Sequence, residues 1–269
     1  LQRKRGIVAL DLGLKGKVAL VTASSRGLGR AIAHRLAGEG AKVAVCSRDQ
    51  ARVEETAQTI AEQTGAEVFP VVADVSRAES VNKLIDEVVG RWGRIDVLVC
   101  NAGGPPSGTF EMFDDEVWQR AFETNLLSVV RLVRAALPHM SKGGKIITIA
   151  STSVKQPIPG LILSNTMRAG VAGLMKSLAE ELAPRGILVN TVCPGRIATD
   201  RVQELDESFA AKKGVSVEEV RRAVSAQIPL GRYGEPDEFA RVVAFLASDA
   251  NTYVTGQALM IDGGMVKAL

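Results

Sequence analysis

Lys17-Val18-Ala19-Leu20-Val21-Thr22-Ala23-Ser24-Ser25-Arg26-Gly27-Leu28-Gly29 is the stretch whose reading decides the fold. Its first five residues form an apolar run of strand length, and the next eight turn it with small residues. Arg30 to Glu39 then carries Ile32, Ala33, Leu36 and Ala37 at helical spacing. Strand, tight turn and helix in that order leave free backbone N–H groups at the helix start, where partial positive charge favours a phosphate. Gly27 and Gly29 suit the turn, because a side chain there would hold a pyrophosphate off the backbone or the helix off the sheet. Glycine-rich turns are common, so it is the position near the start of an alternating chain that gives this one weight.

Outward from it, strand and helix patterns alternate over nearly the whole length. Apolar runs at 42–46, 68–72, 95–99, 145–150, 187–192 and 258–261 read as strands, mostly of the buried parallel kind. Helical patterns cover 51–62, a stretch from Ser76 as N-cap to Val89, 116–137, 163–182 and 236–247. The alternation predicts an α/β protein: one doubly wound Rossmann domain with a mostly parallel seven-stranded sheet. We expect this domain over 14–269, with 1–13 as an N-terminal extension. Residues 200–227 break the rhythm and read as two short helices, with Val202, Leu205 and Phe209 on one face and Val217, Val220 and Val224 on another. They are expected to form a small helical substrate lobe that closes over the crevice as a lid.

Composition narrows the function classes. A 269-residue chain with 46% hydrophobic and 23% charged residues can build a full core. A net charge of +3, with the only basic cluster at Arg3-Lys4-Arg5, does not suit nucleic-acid binding. No apolar run approaches membrane-helix length and no signal peptide is recognised, so no membrane partner is expected. Cys46, Cys100 and Cys193 lack metal-ligand spacing and read as buried apolar residues of a reducing cytoplasm, with no metal site.

In a doubly wound sheet, ligands sit beyond the carboxyl ends of the strands, where the winding reverses. Asp74, Asn101, Ser151 and Pro194 all lie just past predicted strand ends. The end of the second strand chooses between dinucleotides: NAD(H) wants an acidic residue there for the ribose 2′-hydroxyl. Ser47-Arg48 occupies that place, and Arg26 is offered from the first turn. Guanidinium groups bind phosphate oxygens bidentately, so the reading favours NADP(H) over NAD(H). The residues assigned to the dinucleotide are Thr22, Ser24, Ser25, Arg26, Gly27, Leu28, Gly29, Ser47, Arg48, Asp74, Val75, Asn101, Ala102, Gly103, Arg168, Pro194, Gly195, Ile197 and Thr199.

These motifs resemble the short-chain dehydrogenase/reductase family, in particular its 3-oxoacyl-acyl-carrier-protein reductase-like branch. The likeness runs from about residue 14 to 265. It includes Thr22…Gly27-x-Gly29, Asp74-Val75, Asn101-Ala102-Gly103, Asn125, Ser151, Val189-Asn190, Pro194-Gly195 with Thr199, and Asp262-Gly263-Gly264. One departure is Ala23, where the family usually has glycine. The resemblance implies hydride transfer between a nicotinamide and a small carbonyl or alcohol substrate, in a homotetramer or homodimer built on helices 116–137 and 163–182. In the family, a Tyr exchanges the proton, a Lys four residues later lowers its pKa, a Ser thirteen residues before the Tyr positions the carbonyl, and an Asn supports a proton relay. Ser151 and Asn125 match the last two. The Tyr and Lys positions hold Ser164 and Arg168. An aliphatic alcohol is a far poorer acid than a phenol, and Arg keeps its proton. Ser164 and Arg168 therefore suit binding and orientation more than acid/base work. Tyr233, Tyr253, His34 and His139 look structural or remote by position. Lys155, or a water held by Asn125, Ser151 and Ser164, is the substitute proton donor to consider. An oxidoreductase with an atypical donor is the first reading and an NADP-binding sensor or partner protein without turnover the second. A cofactor-free lyase ranks last, because such relatives keep the Tyr and lose the glycine-rich turn.

Overall fold

The five central strands are short runs of β-branched and small apolar residues, and their inner positions are buried. That is the pattern a parallel sheet needs when helices cover both of its faces. The structure, a computed structural model, describes residues 11–268. In chain order it holds β1 (Val18–Val21), α1 (Gly27–Gly38), β2 (Lys42–Ser47), α2 (Gln50–Thr64), β3 (Val68–Val72), α3 (Ala78–Trp92) and β4 (Val97–Cys100). There follow α4 (Asp115–Phe122), a π-helical turn (Glu123–Leu127), α5 (Ser128–Ala136), β5 (Lys145–Ile149), α6 (Ile162–Leu182) and β6 (Leu188–Pro194). The chain then forms α7 (Asp200–Lys213), α8 (Val217–Ser225), α9 (Pro236–Ala247) and β7 (Ala258–Ile261).

The strands make a 7-stranded sheet in the order β3-β2-β1-β4-β5-β6-β7. Every pairing is parallel. All strand ends that carry candidate residues therefore lie on one edge, and the winding reverses between β1 and β4. One core layer packs α3, α5 and α6 on the sheet, with Leu84, Leu132 and Val171 buried. The other packs α1, α2 and α9, with Ile32, Val53 and Phe239 buried. No helix of the described residues is long and apolar enough to cross a membrane.

Local chemistry sets the element ends. The Asp49 carboxylate accepts from the Arg52 N–H at 3.1 Å to start α2, and Gly65 at φ +70° closes it. Ser76 does not cap α3 as the sequence suggests. Its N–H and hydroxyl both donate to Asp74 Oδ1, and the helix starts two residues later. The long helix read over 116–137 is not regular, because residues 123–127 widen into the π turn. Of the expected N-terminal extension, residues 1–10 lie outside the described residues. Residues 11–13 dock on the fold: the Leu12 carbonyl accepts from the Asp249 N–H at 2.9 Å. In the lobe, the fully buried positions of α7 are Asp206 and Ala210, while Val202, Leu205 and Phe209 are half-buried.

Candidate functional site

The glycine-rich turn is locked from below. The Thr22 hydroxyl donates to the Asn101 carbonyl at 2.7 Å and accepts from its N–H at 2.8 Å. Ser24 Oγ donates to the Val21 carbonyl at 2.7 Å and accepts from the Cys46 N–H at 3.0 Å. Both side chains are fully buried, as are Val75 and Ile197 within a few per cent. The side chains of these four residues, expected at the dinucleotide, are turned into the protein, which leaves their backbone atoms for a ligand. Asn101 Nδ2 donates to the Ala23 carbonyl at 3.1 Å, joining the ends of β1 and β4. Gly29 is the closest approach: a Cβ there would lie 2.5 Å from the Ala23 oxygen and 2.8 Å from Asn101 Nδ2. Gly27 sits at φ +57°, and an added Cβ would reach the Thr199 side chain at 3.9 Å. Ala23 itself has φ +47°, a conformation that L side chains avoid.

α1 starts without a side-chain cap at Arg26 and with no acidic residue in its first turn. Its first N–H groups and partial positive charge therefore remain open to an anion, as a dinucleotide pyrophosphate requires. Arg26 and Arg48 are exposed, each next in the chain to a half-buried serine, Ser25 and Ser47. The Ser47 hydroxyl donates to the Asp49 carbonyl at 2.9 Å and accepts from the Asp49 N–H at 3.1 Å. At the end of β3, Asp74 orders the start of α3 through Ser76, as described above. Leu28 is half-buried behind the turn, whereas Ala102 and Gly103 continue the floor past Asn101, with open space around Gly103. At the end of β6, Gly195 lets the chain pass Asp262 closely, since a Cβ would meet the Asp262 Cβ at 2.6 Å. Pro194 precedes it, and the Thr199 hydroxyl donates to the Ile197 carbonyl at 3.4 Å.

The floor beyond β5 is held by Arg168. Its guanidinium donates to the Ile149 carbonyl at 2.9 Å (Nη1) and to Asn125 Oδ1 at 3.1 Å (Nη2). The side chain is 6% exposed, and burial pushes the guanidinium down to about 10, so it stays charged at neutral pH. Asn125, on the π turn, is 1% exposed and donates from Nδ2 to the Ala121 carbonyl at 3.2 Å. Widened turns of this kind are frequent where a helix must aim one residue at a site. Ser151 follows β5 and accepts from the Ser153 N–H at 3.1 Å. Ser164 is half-buried one helical turn before Arg168, on the same face of α6. Cys193 lies beneath Ser151 and Arg168, and burial drives its thiol up to about 12, as it does for Cys46 and Cys100.

The sequence reading missed two features. Asn165 clamps the loop before α6, accepting from the Ile158 N–H at 3.2 Å and donating to the Ile158 carbonyl at 2.9 Å. Asp206 is fully buried, with Arg196 Nη1 at 3.2 Å, Arg221 Nε at 3.5 Å and the Tyr233 hydroxyl donating to it at 3.1 Å. Burial and the Asp206 charge hold that phenol up at about 12, so Tyr233 ties the lobe to the body. A polar residue on an amphipathic helix gives no signal of its burial.

A family model described as enoyl-(acyl carrier protein) reductase matches residues 22–266. Among curated proteins, the 3-oxoacyl-[acyl-carrier-protein] reductase FabG of Escherichia coli K12 is 40% identical over 256 residues, covering 94% of this chain and 99% of its own. Among solved structures, L-sorbose reductase from Gluconobacter frateurii, complexed with NADPH and L-sorbose, superposes with a TM-score of 0.91. It shares 33% identity, covering 97% of this chain and 100% of its own. A variant of actinorhodin polyketide ketoreductase with NADPH gives a TM-score of 0.88 at 37% identity, covering 93% and 97%. The chain belongs to the short-chain dehydrogenase/reductase family.

As a member of that family, it departs from the common pattern at three positions, each now with a structural consequence. Ala23 adopts the conformation for which glycine is preferred. Ser164 leaves no phenol at the family Tyr position on α6. Arg168 keeps a cation at the family Lys position but directs two of its N–H groups into the protein, where they join β5 and the π turn to α6.

Proposed function

We propose that this protein is an NADP(H)-dependent oxidoreductase that reduces a small carbonyl compound, or oxidises the matching alcohol, in the manner of a 3-oxoacyl reductase. The observation that carries this reading is the convergence of the open, arginine-flanked start of α1 with Ser151 on one sheet edge. The dinucleotide, when bound, supplies or takes the hydride. In this reading Arg26, Arg48, Ser25 and Ser47 would hold its 2′-phosphate, the start of α1 its pyrophosphate, and Asp74, Ala102 and Gly103 the rim beside its adenosine. NADPH in the two structural relatives supports the same choice.

At the other end, the Ser151 hydroxyl donates to the substrate oxygen and orients the carbonyl. Arg168 holds Asn125 and the end of β5 in register beneath it and adds positive charge to the floor. The Asn125 side chain is committed to Arg168 and Ala121, so the proton comes from water ordered by Ser151 and Ser164. The expected outcome is NADPH consumption on a panel of ketones, 3-oxoacyl thioesters and quinones, reduced about 100-fold or more by Ser151→Ala. NADPH binding with no consumption by the native chain would favour the second reading, a dinucleotide-binding sensor or partner protein. The inward commitment of Arg168 is the observation that favours that alternative.

The expected homo-oligomer would use the outer faces of α4, α5 and α6, where Ala169, Gly170 and Gly173 are exposed and permit close helix approach. Light scattering at micromolar concentration should give a dimer or tetramer mass, and a monomer mass would remove this part of the proposal. A cytoplasmic location belongs to the same reading.

A further inference from the structure

The first turn of α7 lies across the crevice and touches both of its walls. On one side Arg201 Nη2 donates to the Pro105 carbonyl at 3.1 Å, in the loop after β4. On the other side Glu204 Oε1 lies 3.8 Å from Arg26 Nη1, in the glycine-rich turn. Arg201 Nη1 also stands 3.3 Å from Glu204 Oε2, so one ion pair leads to the next. Behind Arg26 is a cleft of about 360 Å³ lined by Arg26, Arg30, Arg52, Thr56, Glu55 and, from the lobe, Asp200. Three guanidinium groups thus gather beside the turn with Glu55 among them, and the lobe adds the Asp200 carboxylate to the cleft and sets Glu204 against Arg26. Arg52 is partly neutralised by Asp49 at 3.2 Å, whereas Arg30 makes no ion pair among the described residues. Arg26 and Glu204 have side chains 61% and 48% exposed, so their attraction is weak and open to exchange for a stronger anion.

We propose that Glu204, with Asp200 beside it, competes with the 2′-phosphate of the cofactor for Arg26, so that a phosphorylated dinucleotide releases the first turn of α7 from one wall while an unphosphorylated one leaves it in place. This rests on the reading of the crevice as a dinucleotide site. A phosphate monoester carries nearly two negative charges and three acceptor oxygens. It therefore outbids a single carboxylate for Arg26, and the displaced carboxylates then repel it. Glu204 and Asp200 become residues that set the preference between the two dinucleotides from outside the usual contact set. The far end of α7 stays anchored, because Asp206 is held by Arg196, Arg221 and Tyr233. Release of one wall is then a swing of the first turn and not a loss of the lobe.

Fluorescence titration with NADPH and NADH, and calorimetric titration with 2′,5′-ADP, test this on the full chain. For Glu204→Gln combined with Asp200→Asn, NADPH and 2′,5′-ADP should bind about three- to tenfold tighter than to the native chain, with NADH unchanged. Arg26→Ala should weaken NADPH and erase that gain. Hydrogen exchange over 200–206 should speed up with NADPH and not with NADH. If 2′,5′-ADP binds the native chain and the double variant equally, the competition is overturned while the cofactor reading stands. If neither dinucleotide nor 2′,5′-ADP binds any form, the cofactor reading falls and the competition with it.

Discussion

At the scale of single residues, Ala23 and Gly29 show how little room the turn has. Ala23 stands at φ +47°, and its carbonyl is fixed by Asn101. A left-handed alanine costs about 1 kcal/mol relative to glycine in that conformation. Ala23→Gly should therefore stabilise the protein by about 1 kcal/mol, a rise in Tm of roughly 2–4 °C by calorimetry. An unchanged or lower Tm would mean that the added freedom of the unfolded chain offsets the relief. The sequence named Ala23 as the departure from the family glycine, and the positive φ that gives the alanine its cost is seen in the backbone. Arg168 was legible as a cation that cannot relay protons. Its inward bonds to Ile149 and Asn125 were not, because one ends on a strand carbonyl and the other on a π turn that no helical periodicity announces.

At the scale of elements, the strands and helices were legible because their apolar patterns are strong, whereas the lobe was legible only in outline. Its two helices were foreseen, but the face assigned to Val202, Leu205 and Phe209 is less buried than Asp206. A carboxylate leaves water here because Arg196, Arg221 and the Tyr233 hydroxyl reach it from three different segments, a convergence that exists only in three dimensions. Asp206→Ala should strand those partners and cost about 3 kcal/mol. The loss should be local: faster hydrogen exchange and proteolysis within 200–227, with the sheet amides still protected. Uniform loss of protection over the whole chain would show that the lobe and the sheet unfold together.

At the scale of the whole molecule, the parallel order of the sheet accounts for most of what the site can do. Six turns at one edge bring together residues as far apart in the chain as Thr22 and Thr199, and the alternation of patterns was sufficient to foresee it. Charge at the surface contributes to stability in acid. Arg232 and the Glu235 N–H hold the Glu238 carboxyl down at about 2 from an ordinary 4.5, and Ser216 lowers Glu219 through its N–H and hydroxyl. A carboxyl with a depressed folded-state pKa contributes stability above its unfolded value and loses it as pH falls through the folded one. Thermal stability should thus decline as pH falls from 4.5 toward 2, and Glu238→Gln should make that decline shallower. An equal slope in the variant would assign the decline to other groups.

The proposed function requires this scaffold to turn over NADPH while holding Ser164 and Arg168 at the positions where the family has Tyr and Lys. The direct measurement is NADPH consumption by the native chain beside the Ser164→Tyr/Arg168→Lys double variant, over the same panel of ketones and 3-oxoacyl thioesters. Carbonyl-dependent turnover by the native chain as well as by the variant is the expected result. Consumption by the variant alone, with NADPH bound equally to both, would contradict it.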